Sequence, residues 1–204
     1  MGLQAIVVAA GSGSRFGGRK LLARMGTGLV LEGALRAALD APVDAVMVVT
    51  GSDATDVASA ARRFAKGHPQ GAKLTVVHAA TYETGLSASV RAGLSALPAD
   101  TDGVFVFLGD MPAVPTQVPF LLQQALAGHG VVAAAPVHAH RRGHPVLFAA
   151  ALLPKLAALT GDSGARATLD GLGEALSLVA VDEPGILFDI DTRADLARAE
   201  TSAP

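Results

Sequence analysis

The stretch Ile6–Leu22, IVVAAGSGSRFGGRKLL, runs from an apolar segment into glycine, serine and three cations before apolar residues resume. A β-rich apolar run that breaks into glycine reads as a buried strand ending at a loop. Here the loop is both flexible and positive. Glycines let backbone N–H groups converge on an anion without a Cβ in the way. Arg15 can fork onto phosphate oxygens, and Lys20 supplies a mobile point charge. Phe16 reads as a lid or a core contact. Two common phosphate loops fail at specific positions. A dinucleotide fingerprint needs a third glycine where Phe16 follows Gly11 and Gly13, and an acid where the second strand ends in Thr50 and Gly51. A P-loop counted from Gly13 reaches Gly18 and then Arg19, so Lys20 comes one place late and no hydroxyl follows it.

Outward from this loop, short β-rich runs alternate with longer Ala/Leu segments of helical period. The runs predict strands at Ala5–Ala9, Ala45–Thr50, Leu74–His78, Val104–Leu108, Val131–Ala135, Val146–Ala149 and Leu176–Val181. Helices are predicted at Val30–Leu39, Ala54–Phe64, Ser87–Leu97, Val118–Ala127, Ala150–Leu159, Ala165–Leu172 and Arg193–Ala199. Strands apolar on both faces and separated by helices imply an α/β domain with a mostly parallel sheet covered on both sides. After Val131 the alternation weakens, and VVAAAPVHAHRRGHPVLFAA reads as two strands joined by a polar, basic loop, antiparallel to one another. TGLV at Thr27 and HPQGAK at His68 read as turns, and residues 200–204 as a frayed tail.

The 204 residues suit a single domain spanning 1–204. Half are apolar and 17% charged, which fits a well-buried core. The absence of cysteine excludes a disulfide, a thiolate nucleophile and a zinc–thiolate site, and fits a reducing cytoplasm. A net charge of −2 with scattered cations leaves no footprint for duplex nucleic acid. AIVVAA lacks a basic flank and is too short for a secretory signal, and no run approaches the ~18 apolar residues of a membrane span. A soluble cytoplasmic domain is expected.

In an open α/β sheet, ligands sit beyond the carboxyl ends of the strands, here the loops after Ala9, Thr50, His78, Leu108 and Val181. The loop after Thr50 is the least informative of the five. In YETGLSASVRAGL, Gly85 through Ser89 can open a helix, with Ser87 or Ser89 capping it or offering a hydroxyl to a ligand. In VFVFLGDMPAV, Asp110 stands one glycine past an apolar strand that Pro112 stops; it either caps the next helix or presents a hard oxygen of the kind Mg²⁺ prefers. In FDIDTRADL, Asp189 and Asp191 share one face of extended backbone. Thr192 or Asp191 can cap the last helix with Asp195 completing a capping box, which accounts for one aspartate and not both. RRGHPVLF places His144 beside Arg142 and Gly143, as a satisfied loop histidine or an anion contact. Gly161–Arg166 reads as a helix start with an adjacent cation. Arg141 reads as solvated surface.

AAGSGSRFGGRKLL resembles the signature of the MobA-like nucleotidyltransferases, and is similar to L-A-A-G-x-[SG]-x-R-[MF]-G-x-x-K of their molybdenum cofactor cytidylyltransferase branch. Similar segments follow in the expected order from Leu3 to Leu196: the glycine–serine helix start, LGDMP, RGHPVLF, GDSGAR and DIDTRADL. The resemblance implies a three-layer α/β/α Rossmann-like nucleotidyltransferase fold with an antiparallel part in its C-terminal half. It implies catalytic roles for Arg15, Lys20 and Asp110, with Ala9, Ala10, Gly11, Ser12, Gly13, Arg15, Lys20, Ser87, Ser89 and Gly109 at the nucleotide. Asp110 and Asp191, with Asp189 as the alternative, would hold Mg²⁺, and Arg142, His144, Asp162 and Arg166 would meet the acceptor.

The implied reaction transfers CMP from CTP to the terminal phosphate of molybdopterin, releasing pyrophosphate and giving molybdopterin cytosine dinucleotide for a molybdoenzyme of the xanthine oxidase type. CTP is preferred over GTP because AAG stands where the guanylyl branch usually has GGG or AGG, because no Asp precedes Lys20, and because the Ala10 methyl would crowd a purine. Alternatives are a GTP-dependent guanylyltransferase, a cytidylyltransferase acting on another phosphorylated acceptor, an NAD(P)-dependent oxidoreductase, and a noncatalytic cofactor carrier. Arg193 departs from the family's usual proline, which bears on the start of the last helix more than on chemistry.

Overall fold

The strand-forming runs build one eight-stranded sheet in the computed structural model, which describes residues 2–161 and 165–202. The strands are β1 Leu3–Ala9, β2 Arg24–Met25, β3 Gly28–Leu29, β4 Ala45–Thr50, β5 Leu74–His78, β6 Gly103–Leu108, β7 Ala133–His138, β8 Arg141–Arg142, β9 Val146–Ala149 and β10 Leu176–Ala180. The helices are α1 Val30–Asp40, α2 Ala54–Lys66, α3 Leu86–Leu94, α4 Val118–Leu126, α5 Leu153–Ala157, α6 Arg166–Asp170 and α7 Arg193–Ser202. The main sheet runs β10-β7-β9-β6-β1-β4-β5, with β8 paired to β7, while β2 and β3 form a separate hairpin. β1 is parallel to both β4 and β6, and β10 is parallel to β7. Strand β9 runs antiparallel to its neighbours β6 and β7, which gives the expected reversal in the C-terminal half.

Strands with no polar face need cover on both sides. Ala5 and Val7 of β1 pack with Leu31, Leu35, Leu122 and Val57 from α1, α4 and α2. Ile6 turns to the other side, toward Val90 of α3, Leu156 of α5 and Leu169 of α6. The result is three layers, α/β/α. Among the described residues no helix is long and apolar enough to cross a membrane.

From β1 the chain steps through β4 to β5, then returns to lay β6 on the opposite side of β1. Connections thus leave β1 and β6 in opposite directions and open a crevice at their carboxyl ends, where a ligand is bound in sheets of this kind.

The structure corrects the sequence reading in four places. TGLV is part of the β2–β3 hairpin rather than a plain turn. The basic loop before His144 contains β8, paired to β7 through Val137–Arg142 and His138–Arg141. Ala150–Leu159 is a single 3₁₀ turn followed by the five-residue α5, because Pro154 lacks an N–H and fits only the first turn of a helix. Helix α7 runs to Ser202, three residues beyond the predicted end at Ala199.

Candidate active site

The loop after β1 folds as two successive 3₁₀ turns, Ser14–Phe16 and Lys20–Leu22. The Gly13 carbonyl accepts from both Phe16 N and Gly18 N, at 3.0 Å each. Gly13 has φ +62°, and a Cβ there would stand 2.9 Å from the Lys20 Cβ, so only glycine lets the loop close on Lys20. Phe16 is a core contact, not a lid: it is buried with Val30 and Ile190, and the Arg193 guanidinium lies 4.9 Å from its ring centroid. The residue at the family's proline position therefore clamps the loop from the other end of the chain.

That clamp brings the cations to the aspartates. Lys20 Nζ donates to Asp110 Oδ2 at 2.7 Å and to Asp191 Oδ1 at 3.1 Å, and Arg15 donates to Asp191 Oδ2 at 2.6 Å. Residues 90 and 171 positions from Lys20 thus meet on one ammonium. The Lys20 side chain is only 11% exposed. Burial by itself lowers its pKa, but the charge of Asp110 and the hydrogen bonds to Asp110 and Asp191 outweigh that and raise it above the ordinary value, so it stays an ammonium. The Ile190 N–H donates to the Asp110 carbonyl at 3.0 Å, which sews the two acidic segments together.

The capping question at α7 has a clear answer. Asp195 accepts from Thr192 N at 2.6 Å, from Thr192 Oγ1 at 2.8 Å and from Asp191 N at 3.1 Å, while Asp195 N donates back to Thr192 Oγ1 at 3.2 Å. Thr192 is the cap and Asp195 completes the box. Those bonds, to the Thr192 hydroxyl first, hold the Asp195 carboxyl below the usual range. The Asp191 side chain is left to Lys20 and Arg15. Asp189 is the alternative acid: burial pushes its pKa up, and the charges of Asp191 and Asp110 add to the effect.

Two cavities adjoin at this crevice. One, of about 520 Å³, is lined by Ala10, Gly11, Ser12 and Ser89 together with Tyr82 and Gly85. The other, of about 640 Å³, is lined by Arg142, His144 and Arg166, over an apolar floor that includes Val106 and Phe148. Leu86 lines both, and Val8 of the first is the register partner of Leu108 of the second. Arg141 is exposed, as expected, at the rim of the second cavity.

The remaining candidates are placed as follows. Ala9 is buried at the end of β1. Gly109 packs on that end, its N–H donating to the Val8 carbonyl at 2.9 Å. Ser87 is buried and away from the smaller cavity; its hydroxyl accepts from Arg91 at 3.4 Å. Neither serine caps α3, whose N-cap position is Gly85. Arg142 pairs with Asp170 at 2.7 Å. His144 has its Nδ1 buried without a hydrogen-bond partner among the described residues. Burial pushes its pKa down, against the Val106 main chain and the charge of Asp110. Asp162 lies outside the described residues.

Two carboxylates gathered at one point suit a divalent cation that takes one or two protein carboxylates and fills its remaining positions with water and phosphate oxygens. Among the described residues no group of three or more His, Cys, Asp or Glu forms an all-protein cage, which such a cation does not need.

Residues 5–178 match the family model described as the MobA-like NTP transferase domain. The molybdenum cofactor cytidylyltransferase of Escherichia coli K12 is 27% identical over 198 residues, covering 97% of this chain and 95% of that protein. Rv0371c of Mycobacterium tuberculosis H37Rv superposes with a TM-score of 0.81 at 25% identity, covering 99% of this chain and 98% of that one, and has also been crystallised in complex with manganese. A nucleotidyl transferase from Methanothermobacter superposes with a TM-score of 0.76 at 27% identity, covering 98% and 96% of the two chains. A match over most of its length, on a fold shared with these proteins, makes this chain a nucleotidyltransferase that belongs to the MobA-like NTP transferase family.

Proposed function

We propose that the chain transfers CMP from CTP to the terminal phosphate of molybdopterin, releasing pyrophosphate and forming molybdopterin cytosine dinucleotide. The observation that carries this reading is the meeting of Arg15, Lys20, Asp110 and Asp191 in the loops that follow β1 and β6 and lead into α7. Nucleotidyl transfer needs two polyanions held in line and the developing charge neutralised, with little covalent help from protein.

In this reading the smaller cavity takes the base and ribose, the glycine loop takes the triphosphate, and the larger cavity takes the acceptor. Asp110 and Asp191 would hold Mg²⁺, which when bound supplies positive charge to the phosphate oxygens. An acceptor phosphate oxygen forms a bond to the α-phosphorus while the bond from that phosphorus to the α–β bridging oxygen breaks. The electron pair leaves with pyrophosphate. Lys20 and Arg15 stabilise the charge that gathers on the bridging and non-bridging oxygens. No side chain need remove a proton, because a phosphate acceptor is already ionised at neutral pH. On the acceptor side, Arg142 and Arg166 supply cations, and His144 lines the same cavity. The choice of CTP is supported by Ala10 on the wall of the smaller cavity and by likeness to the E. coli cytidylyltransferase. A molybdoenzyme of the xanthine oxidase type is the recipient that such a product implies.

The test is pyrophosphate release with Mg²⁺, purified molybdopterin and each of CTP, GTP, ATP and UTP, with the dinucleotide identified by mass. Release with CTP and a product of the cytosine dinucleotide's mass is the predicted result. Faster release with GTP would reverse the donor assignment, and no release with any nucleotide would overturn the reaction.

A further inference from the structure

We infer that Tyr82 is the surface on which the nucleotide base stacks and that Gly51, in the loop after β4, is the positioning residue that seats it. The inference rests on the nucleotidyl-transfer reading above and adds a residue and a loop to it.

Tyr82 lies on the wall of the smaller cavity, with small residues that include Ala10, Gly11, Ser12 and Ser89. It is half-buried and, among the described residues, is the only aromatic side chain on that wall. Small residues leave room for a planar base, and a single ring offers it a π-face.

What sets the ring in place is the end of β4. The Ala79 N–H donates to the Thr50 carbonyl at 2.8 Å, and the Tyr82 N–H donates to the Ala79 carbonyl at 3.1 Å, so the turn carrying Tyr82 hangs from that strand. The Ser52 N–H donates to the Ala10 carbonyl at 3.0 Å, which ties the same loop to the end of β1. Gly51 lies between these two anchors. A Cβ there would stand 2.5 Å from the Tyr82 Cγ, 2.7 Å from the Ala10 Cβ and 2.7 Å from the Ala10 oxygen. Tyr82 and Ala10 therefore both close on Gly51, and the missing side chain lets the ring settle against the main chain with its remaining surface on the cavity. The bland alternative is that Tyr82 merely plugs the seam between two loops.

The two roles are separable, because Tyr82 is the chain's one tyrosine and there is no tryptophan. Tyrosine emission reports on this ring alone. The experiment titrates the full chain with CTP and Mg²⁺, following tyrosine emission and calorimetric heat in parallel and correcting CTP absorbance with free tyrosine. The expected result is quenching with the calorimetric midpoint. Tyr82→Phe keeps the CTP affinity within about twofold because the ring remains, while Tyr82→Leu weakens it roughly five- to a hundredfold. Gly51→Ala weakens CTP binding and reduces the quench, with the KM for the acceptor unmoved. Calorimetric binding with unchanged emission, or a Tyr82→Leu affinity within twofold of wild type, overturns the inference and leaves the nucleotide reading standing. Absence of calorimetric binding by any nucleotide overturns both.

Discussion

Gly33→Ala tests how tightly the position of Asp110 is controlled from a distance. Gly33 sits in the first turn of α1 and makes no polar contact with the cations or carboxylates of the site. A Cβ there would lie 2.2 Å from the Pro112 oxygen, 2.6 Å from its Cα and 2.7 Å from its carbonyl carbon, all main-chain atoms of the loop that carries Asp110. Ordinary contact begins at 3.4 Å. The gap must therefore open by roughly 1 Å, a displacement that can cost about 10²-fold in rate when it misplaces reacting groups. Stability should change far less. Overpacking costs about 1–3 kcal/mol, and replacing glycine by alanine within a helix returns up to about 1 kcal/mol. The predicted signature is a large loss of kcat with a small loss of stability, read by pyrophosphate release at saturating CTP and acceptor and by thermal melting. Turnover within twofold of wild type would show that the Asp110 loop absorbs the displacement, and the reasoning would fail.

Lys20→Met removes the ammonium shared by Asp110 and Asp191 and should lower turnover by about 10²–10³ in the pyrophosphate assay; a loss of only a few-fold would remove Lys20 from the transition state. Burial lowers the His144 pKa below its ordinary 6.5, so on acidification the unfolded chain takes the proton first. Its contribution to stability is complete above about pH 6.5 and declines as the pH falls toward the folded-state pKa. His144→Gln should flatten that decline in denaturant melts, and equal slopes in the two proteins would contradict the burial argument. Thr192→Ala removes the cap of α7 and should cost about 1 kcal/mol, whereas Thr192→Ser should keep most of it; equal melting temperatures for Thr192→Ala and wild type would show that the Asp195 bonds hold the turn alone.

The strands and the chemistry at their ends were legible because each signal is local. An apolar run ending in Gly11, or in Gly109 and Asp110, announces a strand and its exit loop within a few residues. What stayed hidden depends on distant partners. The strands Arg24–Met25 and Arg141–Arg142 are two residues long, too short for any period to show. The loop after Thr50 carries no charge pattern at Gly51, and the close approach of Tyr82 and Ala10 exists only once β1 and β4 pair. Asp189 and Asp191 have the same chemistry and the same face. Only the packing of Phe16 against Ile190, with Asp195 taking the Asp191 N–H, decides which carboxylate meets Lys20 and Arg15. Ser87 and Ser89 both looked fit to cap α3 or face a ligand, but the chain enters that helix through Gly85 and turns them to different surroundings.

The proposal that Lys20, Asp110 and Asp191 gather around one metal–triphosphate is tested most directly by electron paramagnetic resonance of Mn²⁺ in the presence of CTP. Wild-type protein should take up Mn²⁺ with CTP as a ternary complex, and Asp110→Asn should weaken that uptake by at least about tenfold, while Asp40→Asn, at the C-terminal end of α1, leaves it unchanged. Equal Mn²⁺ uptake by wild type and Asp110→Asn would contradict the site.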